Sequence, residues 1–262
     1  MIDLARQTLE VQSRYLALGN ECFYDCAATF IRNRAAPDIR DANLVTEVSA
    51  STPEEVTRLL SQTELEFVGI PHLRFDLGSE SNLLEARLVL EDYRRSDELF
   101  LVLENSLLTQ PEICDIRLVT DASDWDAYAR LWELDRREDD TLNGEISFTE
   151  EGSRNKMRLK RAKSPPVRYW LAYVSGEPVA YCSSWSCPNG MGLLEDLFTH
   201  PNFRHRGLAT ALIHHCVDDC RKHGSGAVVI GADPSGTPKY MYAAMGFCPV
   251  VVKREYFKDA EI

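Results

Sequence analysis

Ten residues constrain this chain more than any others: Pro201-Asn202-Phe203-Arg204-His205-Arg206-Gly207-Leu208-Ala209-Thr210. A strand-like run, Met191 to Thr199, enters them, and an amphipathic helical run, Leu208 to His223, leaves them. Arg204 to Ala209 reads R-x-x-G-x-A. A glycine at a strand-to-helix turn exposes backbone N–H groups, and the helix start adds unpaired donors and a partial positive charge. Such a turn holds a phosphate or pyrophosphate without a cage of side chains. The rest of the chain is expected to present a second substrate to whatever binds there.

Composition sets the bounds. At 262 residues the chain is long for one domain and comfortable for two. Its 44% hydrophobic content is enough to bury real cores. A formal net charge of −12 argues against nucleic acid as a partner, which calls for a basic footprint. No apolar run reaches membrane-span length, so no membrane partner is expected. The N-terminal residues show no basic-then-apolar leader, so a cytoplasmic location and reduced thiols are expected. None of the eight cysteines forms C-x-x-C. Cys22/Cys26 and Cys216/Cys220 are spaced i, i+4 in runs that read as helical, with His214 and His215 beside the second pair. Ligands on one helix face cannot surround a zinc ion, so no metal site is expected.

Residues 1–36 read as helical, and Leu44 to Val48 as a short strand. Ser51-Thr52-Pro53-Glu54-Glu55 is a helix start running to about Thr63. Glu66 to Leu77 reads as extended, Ser81 to Arg94 as a helix and Leu99 to Leu103 as an apolar strand. This predicts a small α/β unit over 1–110, with Ser106 to Glu112 as the linker to a second domain over 111–262. There, Ile113 to Val119 is a strand, Trp125 to Arg137 a helix, and Glu133 to Asp140 a solvated helix end. The helix Phe148 to Lys163 is strongly basic through Arg154, Lys156, Arg158, Lys160, Arg161 and Lys163; this reads first as a solvated face, and second as a rim for an acidic ligand. Strands follow at Arg168 to Val174 and Val179 to Trp185, with the Pro188-Asn189-Gly190 turn before Met191 to Thr199. After the long helix come a parallel-type strand, Ala227 to Ala232, a short helix, Lys239 to Met245, and a last extended segment, Phe247 to Tyr256.

From Ile113 the element order is β-α-α-β-β-β-α-β-α-β. The third central strand runs into R-x-x-G-x-A, and Tyr242 to Phe247 reads Y-x-x-x-G-F. Over about 150 residues the chain resembles the GNAT superfamily, the Gcn5-related N-acetyltransferases. The resemblance rests on this order, on Leu194 to Pro201 as the pre-turn strand, and on those two motifs. It implies an α/β (α+β mixed sheet) GNAT fold in the C-terminal domain. The smaller N-terminal α/β domain is then either a degenerate half of the same fold, as in tandem members, or an unrelated module that shapes the acceptor site or a dimer.

The resemblance also implies a function: an acetyl-CoA-dependent N-acetyltransferase, moving an acetyl group to a small-molecule or peptide amine by direct attack in a ternary complex. The alternative is a non-catalytic acyl-CoA-binding regulator. Gly207 would let the backbone approach the pyrophosphate, Ala209 would keep the helix start uncrowded, and amides from His205 and Arg206 through Leu208 to Thr210 would bind the phosphates. Arg204 and Arg206 would add charge or stay solvated. In this family the strand before the turn splays from its parallel neighbour and the pantetheine arm enters the gap. Backbone at Leu197, Phe198 and Thr199 would pair with that arm, and an N–H near Leu197 or Phe198 would face the thioester oxygen. Tyr242 matches the tyrosine that protonates the departing thiolate, with Tyr240 as a nearby substitute. An amine must be neutral to attack, so a base is useful. Glu195 and Asp196 stand in the otherwise apolar strand, and alternation puts them on opposite faces unless a bulge resets the parity; Glu195 is preferred. One position departs from the family: seven residues before Tyr242, Ser235 stands where many members carry asparagine. His200 and His205 flank the turn and read as solvated. A homodimer is left open.

Overall fold

The computed structural model describes residues 3–78, 82–111, 113–143 and 149–259. The chain forms two compact units. One comprises Met1–Phe100, Ala232–Lys239 and Pro249–Ile262; the other comprises Leu101–Gly231 and Tyr240–Cys248. The expected division was two consecutive segments, 1–110 and 111–262. The compact units differ from it because the end of the chain returns to the first unit.

The first unit contains α1 (Leu4–Ala17), β1 (Glu21–Asp25), β2 (Ala28–Arg32), β3 (Leu44–Thr46), α2 (Pro53–Glu66), β4 (His72–Leu77), α3 (Asn82–Leu90), most of β5 (Arg94–Leu103) and nearly all of β11 (Cys248–Asp259). Its strand order is β1-β2-β3-β4-β11-β5, so the chain's last strand is inserted between two strands formed near its start. β11 runs antiparallel to β4, with Tyr256 opposite Phe75. Phe30, Val45, Leu59, Phe75 and Tyr256 meet in its core.

The helix expected over 1–36 is corrected. α1 ends at Ala17, Gly19 takes φ +76°, and a β-hairpin comes next. Its loop is Cys26-Ala27, both at positive φ (46° and 60°), as a two-residue hairpin turn of the I′ kind requires. Neither residue is the Asn or Gly that announces such a turn, so the sequence carried no hairpin signal. Phe23 and Phe30 lie opposite each other and stack at 5.2 Å, a cross-strand pairing that a helical reading of the apolar spacing cannot register. Cys22 is therefore on a strand. The expected helix starts at Ser81 and Phe148, and Glu112 of the linker, lie outside the described residues.

The second unit has the expected order: β6 (Asp115–Leu118), α4 (Ala122–Asn143), α5 (Glu150–Lys163), β7 (Val167–Val174), β8 (Glu177–Ser186), β9 (Gly192–Thr199), α6 (Leu208–Lys222), β10 (Val228–Ala232) and α7 (Pro238–Ala244). β6 to β9 form an antiparallel meander, and β10 pairs parallel with β9. No helix among the described residues is long and apolar enough to cross a membrane.

A local geometry occurs once in each unit. The parallel pairing of β9 with β10 runs from Gly192↔Val228 to Leu194↔Ile230, and two residues beyond its end Asp196 takes φ +61°. The parallel pairing of β3 with β4 is recorded at Val45↔Phe75, and two residues beyond it Glu47 takes φ +51°. In each case a polar side chain from the preceding helix holds the carboxylate at that position: Lys160 of α5 on Asp196, and Ser13 of α1 on Glu47.

Candidate functional site

The site is built where β9 outruns its parallel partner. Alternation along β9 is broken by a bulge. Tyr181 opposes Phe198 and Ser183 opposes Glu195, so Asp196 and Leu197 share the place opposite Cys182. The strand therefore changes parity in its middle, at the two adjacent carboxylates.

Asp196 pairs with Lys160. Burial alone would raise its carboxyl, but Lys160, helped by Lys156 and Lys163, holds it below the usual carboxylate range. Burial pushes the Lys160 ammonium down, against the pull of Asp196. Lys160 also lies 5.7 Å from the ring centroids of both Tyr128 and Tyr169. The basic run of α5 is thus not the uniformly solvated face expected: Arg154 is exposed, whereas Lys160 and Lys163 are buried. Lys160 shares an i, i+3 face with Met157, and that spacing was the available signal.

Glu195 stands one residue earlier. Ser183 Oγ donates to its carbonyl at 3.2 Å, and Cys182 Sγ approaches the same oxygen at 3.6 Å. Burial raises the Tyr242 phenol far above its ordinary value, and the charges of Cys182 and Glu195 push it further. Tyr242 is 5% exposed and Tyr240 is 68% exposed, so the expected substitute faces solvent. Cys182, fully buried on β8, carried no sequence signal as a neighbour of this tyrosine.

Gly246 explains how Tyr242 is fixed. Gly246 N–H donates to Ala243 C=O at 3.0 Å and Phe247 N–H to Tyr242 C=O at 3.1 Å, a Schellman end to α7 with Gly246 at φ +101°. A Cβ on Gly246 would also lie 3.1 Å from Leu108 Cγ. The Y-x-x-x-G-F pattern is therefore a helix end whose geometry holds the tyrosine.

The turn after β9 begins with a short 3-10 segment, Pro201–Phe203, capped by His200 Nδ1, which accepts from Asn202 N–H at 3.2 Å. His205 takes φ +59° and Gly207 φ +75°. Gly207 is the N-cap of α6 and makes no side-chain cap bond. Ala211 N–H closes onto Gly207 C=O at 2.9 Å, so the amides of Leu208, Ala209 and Thr210 precede that bond. Leu208 is buried and anchors the helix; Arg204, His205 and Arg206 are exposed. Arg204 does more than stay solvated: Nη1 donates to Glu138 Oε1 at 2.8 Å, and Nε donates to Thr199 C=O at 3.1 Å. It ties α4 to the turn. Arg206 Nη2 donates to Asn202 C=O at 3.2 Å. Phe198 packs on Tyr181 at 5.5 Å, and Thr199 Oγ1 is buried with no hydrogen-bond partner among the described residues. The densely charged end of α4 is likewise more than a solvated helix end, since Asp135 accepts from Tyr181 Oη at 2.7 Å.

Ser235 belongs to the segment assigned to the first unit, and its hydroxyl donates to Asp233 Oδ1 at 2.7 Å. In the second unit, Leu197, Phe198 and the 204–210 turn follow Glu195 along the chain, and Tyr242 is buried on α7.

Residues 125–247 match the model of the Acetyltransferase (GNAT) family. No curated protein matches the chain. Among solved structures, a GCN5-related N-acetyltransferase from Kribbella flavida is similar at 16% identity and TM-score 0.74, covering 100% of this chain and 98% of its own. A functionally unknown conserved protein from Staphylococcus epidermidis is similar at 14% identity and TM-score 0.69, with 93% and 96% covered. A tandem GNAT protein from the clavulanic acid biosynthesis pathway is similar at 12% identity and TM-score 0.60, with 100% and 98% covered. At these identities the likeness is one of fold.

Proposed function

This chain carries a GNAT acetyltransferase domain over residues 125–247, and from that premise we propose that it is an acetyl-CoA-dependent N-acetyltransferase acting on a primary amine. One observation carries the reading. The uncapped start of α6 at Gly207 follows a strand that has parted from its parallel neighbour, with Glu195 in that strand just beyond the last parallel pair and Tyr242 buried on α7. The amides from His205 to Thr210 would take the pyrophosphate, and the stretch of β9 beyond its pairing with β10 would take the pantetheine arm. The N–H of Leu197 or Phe198 would stabilise the thioester oxygen as negative charge develops on it.

In this scheme the amine nitrogen attacks the thioester carbonyl carbon directly. Glu195, alone or through a water, removes the proton from the nitrogen, and Tyr242 Oη gives its proton to sulfur as the C–S bond breaks. Asp196 is assigned to positioning, because its charge is engaged by Lys160. The acceptor is a small-molecule or peptide amine, and the chain's acidic charge favours a cationic one.

The test is CoA release over a panel of amines, together with acetyl-CoA binding. Tyr242→Phe should lower kcat by about 10²-fold or more while leaving acetyl-CoA affinity unchanged. Saturable acetyl-CoA binding with no turnover on any amine identifies a non-catalytic acyl-CoA-binding regulator instead. Acetyl-CoA at 100 times its Kd should stabilise the chain by about 2.7 kcal/mol, and no thermal shift at saturation overturns both readings.

A further inference from the structure

The first unit has a cavity of about 1040 Å³ of its own, a volume at the upper end of small-molecule sites. Its walls come from α1, the β1–β2 hairpin, the residues where β3 leaves β4, and β11. It lies at the first unit's version of the geometry that defines the candidate site in the second: a parallel pair that parts, with a carboxylate residue at positive φ just beyond.

The segment after that parting differs between the two units. The segment from Ser49 into α2 holds no R-x-x-G-x-A. Instead the start of α2 is closed by a capping box: Glu55 Oε2 accepts from Ser51 N–H at 2.8 Å and Thr52 N–H at 3.1 Å, and Glu55 N–H donates to Thr52 Oγ1 at 3.2 Å. A carboxylate of the chain already occupies this helix start, so it repels a phosphate where the start of α6 would receive one. The cavity is not a second pyrophosphate site.

Its polar groups point to a cation. Asp76 and Lys253, both 3% exposed, line it. They belong to a network in which two cations, Arg74 and Lys253, face four carboxylates, Asp41, Asp76, Glu98 and Glu255. Of this network only Asp76 and Lys253 reach the cavity, whose lining holds three carboxylates (Glu10, Glu47, Asp76) and three cations (Arg6, Arg14, Lys253). Glu47 lines the cavity too; its oxygens accept from Ser13 Oγ at 2.6 Å and Thr29 Oγ1 at 2.8 Å, and each keeps a further lone pair. Gln12, 6% exposed, lines the same wall, and its Oε1 has no hydrogen-bond partner among the described residues. The lining cations are largely engaged: Arg14 pairs with Glu10, Lys253 is held by three carboxylates, and Arg6 is exposed to solvent. Leu9, Leu16, Phe23 and Val48 add apolar surface. Open acceptors on Glu47 and Gln12, beside an aliphatic wall and with the lining cations engaged, call for a ligand that brings donors, positive charge and a short carbon chain.

We propose that this cavity is a binding site for a small aliphatic ammonium compound, separate from the acyl-transfer site of the second unit. Glu47 receives the ammonium group, Gln12 adds an acceptor to that wall, and the leucines and Phe23 cover the carbon chain.

The probe is putrescine, titrated calorimetrically into the full chain beside 1,4-butanediol, an uncharged counterpart of the same length, and succinate, an anionic one. Putrescine should bind saturably, the other two should not, and amide hydrogen exchange should slow in α1 and around Glu47. Glu47→Gln and Gln12→Leu should each weaken binding roughly ten-fold or more, whereas Gly207→Asp, in the second unit's turn, should leave it unchanged. Four outcomes overturn the proposal: no saturable putrescine binding at millimolar concentration, butanediol or succinate binding equally well, protection confined to the second unit, or affinity unchanged in both cavity variants. The three-ligand comparison uses the unaltered chain, so it stands even if a variant fails to fold.

Discussion

Two adjacent carboxylates, Glu195 and Asp196, have different surroundings at a break in the strand's alternation. A regular strand would send them to opposite faces. Across the bulge, Asp196 pairs with Lys160, whereas the charge of Glu195 helps hold the Tyr242 phenol up. The proposal that Glu195 is the base makes a sharp contrast. Glu195→Gln should lower kcat/KM for the amine by about 10²-fold at neutral pH, and the loss should shrink at high pH, where the amine is neutral without help. Asp196→Asn should leave the shape of the pH–rate profile intact and act on stability, because it strands the buried Lys160 ammonium without its carboxylate. pH–rate profiles of the two variants check this; a flattened profile in Asp196→Asn and an unaltered one in Glu195→Gln would reverse the assignment. Gly246 and Leu108 show the same dependence on single contacts, since a side chain on Gly246 would disturb the helix end that carries Tyr242.

The turn between β9 and α6 is an element with one task, to leave a helix start uncapped. Gly207 adopts φ +75° and offers no side chain to the amides behind it. The start of α2 shows the opposite solution, with Thr52 and Glu55 satisfying the amides from within. Gly207→Asp should therefore act in two ways. It should cost about 1–2 kcal/mol of stability through left-handed strain, visible in urea unfolding. It should also weaken acetyl-CoA binding by more than about ten-fold, because a carboxylate would then sit at the proposed pyrophosphate position. Restored binding of dephosphorylated pantetheine analogues relative to CoA would support that electrostatic cause; an equal loss for both would argue for a collapsed turn.

At the scale of the whole chain, the first unit holds a buried charged cluster, and its strand β4 carries a histidine that resists protonation. Burial pushes His72 down to about 4, with Arg40 and Arg74 adding to the effect. The unfolded chain takes up that proton near pH 6.5, so the contribution of His72 is fully present above that pH and is lost as pH falls toward 4. Protection of the Leu73 and Phe75 amides against hydrogen exchange should drop over this window, and His72→Gln should flatten the drop. The strong local signals of the sequence were enough to foresee much of this molecule. Gly207 in R-x-x-G-x-A, Gly246 in Y-x-x-x-G-F, the Thr52-Pro53-Glu55 helix start and the element order after residue 113 all stem from short-range physics: positive φ, uncapped or capped amides, and apolar period. They determined the C-terminal fold and located the uncapped start of α6. What the tertiary structure alone decided involves partners distant in the chain. Lys160 is buried because Asp196 meets it, residues 21–32 form a hairpin because Phe23 meets Phe30, and β11 crosses to lie between β4 and β5. Each depends on which surfaces meet after folding, and no periodicity within a single segment records the identity of its partner.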